Sequence, residues 1–256
     1  MAEKRNGIAF FDSGIGGLTV MNECILHGIN ENMYYYGDNG FAPYGNKSRL
    51  EIRERVQLAF EEFQKLNVRV AVIACNTATA ICVDDLRSHF DFPIVGAEPA
   101  VFTAAKFGGE VLVLTTRATY ESGRIRALCQ KAEQAYPNAY LRVCPCDGLA
   151  GEIELHLFDK DYDFSRFFPK GNPSSVVLGC THYVYLKKYV EAFYKCKAYD
   201  GNAGIARRVE SVSGSKLQGD RDSQPLSTPN KNAPKIAYLG GYGGYNQHVF
   251  EQMFAK

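Results

Sequence analysis

The chain has almost no net charge: 29 lysines and arginines stand against 28 aspartates and glutamates in 256 residues, a formal +1. So balanced a surface has no overall field to draw in nucleic acid or anionic lipid, which argues against both as partners. A bilayer-spanning run is missing too. The longest apolar stretch, 68–83, is interrupted by Asn76, Thr77 and Thr79, and a span needs roughly 20 apolar residues. Residues 1–6 are charged and lack the apolar core and small-residue cleavage site of a secretory leader, so a cytoplasmic protein is expected. Cysteine is too sparse for a stapled scaffold: eight are scattered through the chain, where such scaffolds carry about 8–10%. Reduced thiols follow, each one core filler or chemistry.

Cofactor signatures are also lacking. Gly14-Ile15-Gly16-Gly17 imitates a dinucleotide fingerprint, but Thr19 stands where its third glycine belongs, and no Gly-Lys-Ser or Gly-Lys-Thr closes a glycine loop. Neither Cys144-Pro145-Cys146 nor the five histidines have the spacing of a metal site, so no metal and no cofactor are expected. The glycine turn does offer backbone N–H groups at a helix start, a socket for a carboxylate.

What is present is an ordinary globular balance, 46% hydrophobic and 22% charged, with one repeated grammar. Short β-branched runs at 7–11, 68–74, 110–114 and 175–179 each lead into a turn of small or hydroxyl residues and then a helix-like stretch. This predicts an α/β fold of two similar doubly wound domains with mostly parallel sheets facing each other across a cleft. The first domain is expected at 1–98 plus 209–256 and the second at 99–208. The polar segment 210–235 reads as an exposed loop, and 236–256 as one further strand, turn and helix.

Parallel sheets bind ligands beyond the carboxyl ends of their strands, where all four turns lie. Val72-Ile73-Ala74-Cys75-Asn76-Thr77 and Val177-Leu178-Gly179-Cys180-Thr181-His182 resemble each other, and each puts a cysteine at a strand end among polar neighbours. Cys24, Cys82, Cys129 and Cys196 fall in helix-like patterns and read as inert. A strand-end thiol needs a supporting shell to set its protonation, and Asp12, Glu152 and His182 are candidates for it.

Four blocks, 11–20, Tyr36-Gly37-Asp38 with Pro43-Tyr44-Gly45, Ala74-Cys75-Asn76-Thr77-Ala78 and Gly179-Cys180-Thr181-His182-Tyr183, resemble the signatures of the bacterial glutamate racemases in order and spacing. Weaker blocks, Thr116-x-x-Thr119-x-x-Ser122, Glu98-Pro99 and Cys144 with Glu152, also match. The resemblance covers about 7–205. It implies a cofactor-independent enzyme interconverting L- and D-glutamate, the D-isomer serving peptidoglycan synthesis, with Cys75 and Cys180 as the two bases. It further implies that Asp12, Glu152 and His182 assist the thiols. By the same likeness Ser13, Tyr44, Gly45, Asn76, Thr77, Thr119, Thr181 and His182 hold substrate, together with Asp12. A homodimer is among the expectations.

The chemistry accounts for such a set. Inverting a carbon takes a proton from one face and returns one to the other, so two groups must flank it. Without a pyridoxal electron sink, fixed donors must stabilise charge growing on the α-carboxylate. Val184, where the family has proline, and the unusual Asn39-Gly40-Phe41 depart from the pattern. Alternatives at this stage are an aspartate or broad-specificity racemase of the same superfamily, a Cys-His hydrolase using one thiol, and a non-catalytic relative that binds a partner such as DNA gyrase.

Overall fold

The computed structural model describes residues 5–214 and 234–254. The short apolar runs become strands and the amphipathic stretches between them become helices. In chain order these are β1 (Ile8–Asp12), α1 (Gly17–Leu26), β2 (Met33–Gly37), α2 (Arg49–Lys65), β3 (Val70–Ile73), α3 (Asn76–His89) and β4 (Ile94–Gly96). There follow α4 (Val101–Ala105), β5 (Gly109–Thr115), α5 (Arg117–Glu121), α6 (Arg124–Ala135), β6 (Ala139–Pro145), α7 (Leu149–His156), β7 (Ser175–Leu178), α8 (Lys187–Tyr194) and β8 (Lys197–Tyr199). Finally come α9 (Asn202–Ser213), β9 (Ile236–Leu239) and α10 (Gly243–Phe254).

Two all-parallel sheets result, β4-β3-β1-β2-β9 and β6-β5-β7-β8. Parallel strands joined by helices are covered on both faces, so they read as continuous apolar runs. Alternation sorts the side chains. Ala9, Phe11, Ala71 and Ile73 pack under α2 and α3, while Ile8, Phe10, Val70 and Val72 pack under α1, α9 and α10. In the second sheet Leu112, Leu114, Val176 and Leu178 face α7 and α8, and Val111, Val113 and Val177 face α4 and α6.

This strand order fixes where a ligand belongs. From β1 the chain winds to β2 on one side and reaches β3 on the other, so the first sheet reverses direction between β1 and β3. The second reverses between β5 and β7. Crevices open at such reversal points, beyond the strands' carboxyl ends. Asp12 ends β1, Cys75 follows β3, Thr116 follows β5 and Cys180 follows β7.

Three expectations are corrected. A boundary at 208/209 does not survive, because α9 starts at Asn202 and buries Ile205, Ala206 and Val209 in the first sheet's core with Leu18 and Met21 of α1. The polar segment expected as loop from 210 begins as helix through Ser213; its part at 215–233 lies outside the described residues. The single helix-like stretch expected after the 110–114 run is divided at Gly123, whose φ of 77° lies in the left-handed region that glycine tolerates. It becomes the short α5 and then α6, with Thr116 capping α5 through its side chain.

The core under α2 is aromatic. Phe60 is fully buried, with ring centroids 5.3 Å from Phe63, 5.6 Å from Phe90 and 6.5 Å from Phe11. Replacing it with alanine removes the centre of that cluster, and Phe60→Ala is expected to cost about 3–5 kcal/mol in urea unfolding. A loss below about 1 kcal/mol would show that the cluster does not hold the first sheet to α2.

Candidate active site

Cys75 is the residue before α3 and caps it: its Sγ accepts the Ala78 N–H at 3.4 Å, and its S–H donates to Ser13 Oγ at 3.6 Å. Burial pushes the thiol up to about 12, the negative charge of Asp12 adds to the rise, and the two hydrogen bonds offset part of it. Cys75 is therefore a protonated thiol at neutral pH. The charge of Cys180 contributes to the same rise, so the two sulfurs sense each other across the seam between the sheets.

Asp12 lies at that seam and is fully buried. Its Oδ1 accepts the Gly14 N–H at 3.1 Å and its Oδ2 accepts the Thr181 hydroxyl at 3.0 Å, a bond between the domains. Burial raises its carboxyl to about 6, against the lowering effects of the His182 charge and these two donors. On the opposite wall, His182 Nδ1 is 3.9 Å from Cys180 Sγ, and its Nε2 is 2.6 Å from Glu154 Oε1. Burial opposes the imidazolium, but hydrogen bonds to Cys180 and Glu154 prevail and hold His182 well above its ordinary value.

Glu154 Oε1 also accepts the Ile15 N–H at 2.8 Å. The glycine turn is thus the carboxylate socket the sequence suggests, but the carboxylates in it, Asp12 and Glu154, are the protein's own. Two of its glycines are needed for close approach. A Cβ on Gly14 would collide with Glu154 Oε1, and one on Gly16 would lie 2.7 Å from the backbone nitrogen of His182.

Glu152, expected to assist a thiol, is placed elsewhere. It accepts hydrogen bonds from the Tyr162 hydroxyl and from Arg166 Nη2, the latter at 3.3 Å, and lies 3.8 Å from His156 Nε2. Two residues along an α-helix is a turn of about 200°, so Glu152 and Glu154 leave α7 on nearly opposite sides. Sequence reasoning missed Glu154, whose only signal is its place two residues past the matched position.

The hydroxyls come together more fully than expected. Thr77 Oγ1 is 2.9 Å from Thr116 Oγ1 and 3.2 Å from Thr119 Oγ1, and Thr116 donates to Thr119 at 3.0 Å. This buried triangle joins the two domains. Thr116 was not among the expected substrate residues, although the Thr-x-x-Thr block contains it. Tyr44 is buried with its hydroxyl donated to Asp38 Oδ2 at 2.8 Å, where Arg55 also binds through Nε at 2.9 Å. Its side chain therefore braces the loop, leaving the backbone of the 43–46 turn to face the cleft. Gly45 and Thr116 both line a cavity of about 340 Å³ there. Asn76, at the start of α3, lines two other cavities, one of which touches Cys180 and Thr181. Cys24, Cys82 and Cys129 are buried core thiols, and Cys196 is partly exposed. Among the described residues no cluster of His, Cys, Asp and Glu could hold a metal ion, and no helix is long and apolar enough to cross a membrane.

Residues 30–209 match the family described as Asp/Glu/Hydantoin racemase. The glutamate racemase of Clostridium perfringens is 38% identical over 238 residues, 86% of this chain and 90% of its own length. That of Leptospira interrogans is 36% identical over 209 residues, 79% of this chain and 80% of its own. Among solved structures, Escherichia coli glutamate racemase with L-glutamate and the activator UDP-MurNAc-Ala superposes with a TM-score of 0.75 at 28% identity, covering 97% of this chain and 95% of that one. The Francisella tularensis glutamate racemase with D-glutamate gives 0.71 at 26% identity, covering 97% and 94%.

Which glutamate holds His182 is measurable by NMR titration of its imidazole. Glu154→Gln is expected to lower the His182 pKa and Glu152→Gln to leave it in place; the reverse would reassign the partner. Because the folded pKa is raised, the pair's contribution to stability is complete below the unfolded value near 6.5 and is lost as pH climbs through the folded one. The stability gap between wild type and Glu154→Gln should therefore narrow only on the alkaline side.

Proposed function

The chain belongs to the Asp/Glu/hydantoin racemase family, and we propose that it interconverts L- and D-glutamate with Cys75 and Cys180 acting from opposite faces of the α-carbon. Relatives that carry the glutamate racemase name cover most of this chain. The observation that carries the two-thiol mechanism is the pairing of Cys75 and Cys180 at the reversal points of two facing sheets, each with its own supporting acid or imidazole.

From L-glutamate, Cys180 takes the α-proton: the Cα–H bond breaks, an S–H bond forms, and the electron pair stays on the α-carbon, spread into its carboxylate. Cys75, already a thiol, gives its proton to the other face, and its S–H bonding pair remains on sulfur. The reverse reaction exchanges these roles. His182 stands beside Cys180 to balance its negative charge, and Ser13 and the Ala78 N–H do the same for Cys75 as its thiolate develops. The hydroxyls of Thr77, Thr116 and Thr119 bond to one another at the seam, and that of Thr116 also accepts the Thr119 N–H. An incoming carboxylate has the acceptor capacity to take those hydroxyl protons, and with Asn76 they become its donors as charge grows. The chemistry asks for no electron-sink cofactor. The protein works in the cytoplasm, and its D-glutamate goes to peptidoglycan.

Turnover of L-glutamate in D₂O, without pyridoxal phosphate or metal, is expected to place deuterium at the α-carbon of the product. Cys75→Ser and Cys180→Ser should each reduce inversion by about 10²–10⁴-fold, the range for a lost general acid or base. Full inversion with either thiol gone would overturn the mechanism, and inversion of aspartate but not glutamate would overturn the substrate.

A further inference from the structure

A cavity of about 250 Å³ lies between α3, α6 and the 97–99 segment, against the residues that would hold substrate. Its floor includes Asn76 and Thr119, and its outer wall carries Arg124 and Lys131 from α6. Among the described residues the single acid lining it is Glu98, on the side of the connecting segment. Among the described residues none of these three charges has an ion-pair partner, unlike Arg117, which is bound to Asp147 at 2.5 Å on the 340 Å³ cavity. Asn76, Ala97, Glu98 and Pro99 also line a void of about 10 Å³ that touches Cys180, so the larger cavity adjoins the reaction centre.

We propose that this cavity is an anteroom that captures the substrate before it reaches the thiols, an assignment that rests on glutamate being the substrate. Two cations and one anion are the charge complement of a molecule with two carboxylates and one ammonium. Arg124 and Lys131 take the carboxylates and Glu98 the ammonium. The volume lies below the roughly 300–1,000 Å³ of pockets for drug-sized ligands and suits an amino acid. Unpaired cations at such a mouth raise the local concentration of an anion, and the benefit is screened by salt. Asn76 and Thr119 then form the boundary across which the captured molecule passes inward.

The test is steady-state racemisation of L-glutamate at low and high ionic strength. Replacing both cations, Arg124→Gln with Lys131→Gln, is expected to raise KM roughly three- to tenfold and to flatten its salt dependence, in line with two partly exposed charge contacts. Glu98→Gln is expected to raise KM as well, because the ammonium loses its partner. A fall in KM for that variant would mean that only net positive charge matters and would overturn the three-point assignment. Arg117→Gln, at the other mouth, serves as the control with unchanged KM. If the double variant keeps the wild-type KM and salt dependence, or if Arg117→Gln abolishes that dependence, the anteroom is refuted while glutamate turnover stands. Absence of glutamate turnover in the wild-type protein would refute both.

Discussion

A carboxylate buried between two sheets is costly when, as for Asp12 among the described residues, no cation is in direct contact, and the arrangement around it is what makes it tolerable. Ionised, it needs donors for both oxygens. One oxygen finds the Gly14 N–H in its own turn and the other finds the Thr181 hydroxyl of the facing domain. Satisfying Asp12 therefore requires the domains to meet, and where they meet sets the separation of the thiols. Its carboxyl, raised to about 6, is still mostly charged at neutral pH, which keeps Cys75 protonated until a reaction removes the proton.

The two walls solve the same problem differently. Among the described residues Cys75 has no cation of its own; it is held as a thiol by burial and by the nearby carboxylate, with a hydroxyl and a helix-start N–H ready for its anion. Cys180 has an imidazole beside it and a carboxylate behind that. A pair of thiols in identical surroundings would have no preferred holder for the shared proton. Here the surroundings differ: burial and the Asp12 charge hold Cys75 as a thiol, whereas Cys180 has the His182 imidazole 3.9 Å away. The Glu154 carboxylate joins this chemistry to the interface, since the oxygen that faces His182 also holds the Ile15 N–H.

Much of this was legible in the sequence, because the features concerned are local. Strand, small-residue turn and helix recur in register with the chain, and the strand-end cysteines, Asp12, His182 and the Thr77 and Thr119 hydroxyls all fall at turns where a parallel sheet exposes its ligand face. What was not legible depends on side-chain direction or distant packing. Glu152 and Glu154 are equally acidic and two residues apart, and only the docking of α7 against the glycine turn decides which one looks inward. α9 was divided by the expected boundary because its apolar residues match those of its neighbours; their partner, α1, lies over 180 residues earlier in the chain. Tyr44 sits in a recognisable block, yet its hydroxyl serves Asp38, which no local pattern reveals.

The hydroxyl triangle explains how one interface can be both closed and receptive. Three threonine side chains from two domains, each within about 3 Å of the others, give one another hydrogen-bond partners, so none of these hydroxyls is left stranded. Neutral hydrogen bonds of this kind contribute only about 0.5–1.5 kcal/mol each, whereas bonds to an ionised acceptor reach about 1.5–3 kcal/mol. Exchanging the first kind for the second is favourable without any new residue entering the site. In the proposed reaction the same exchange strengthens as negative charge builds on the substrate carboxylate, so the hydroxyls that join the two domains are also placed to answer proton removal from the α-carbon.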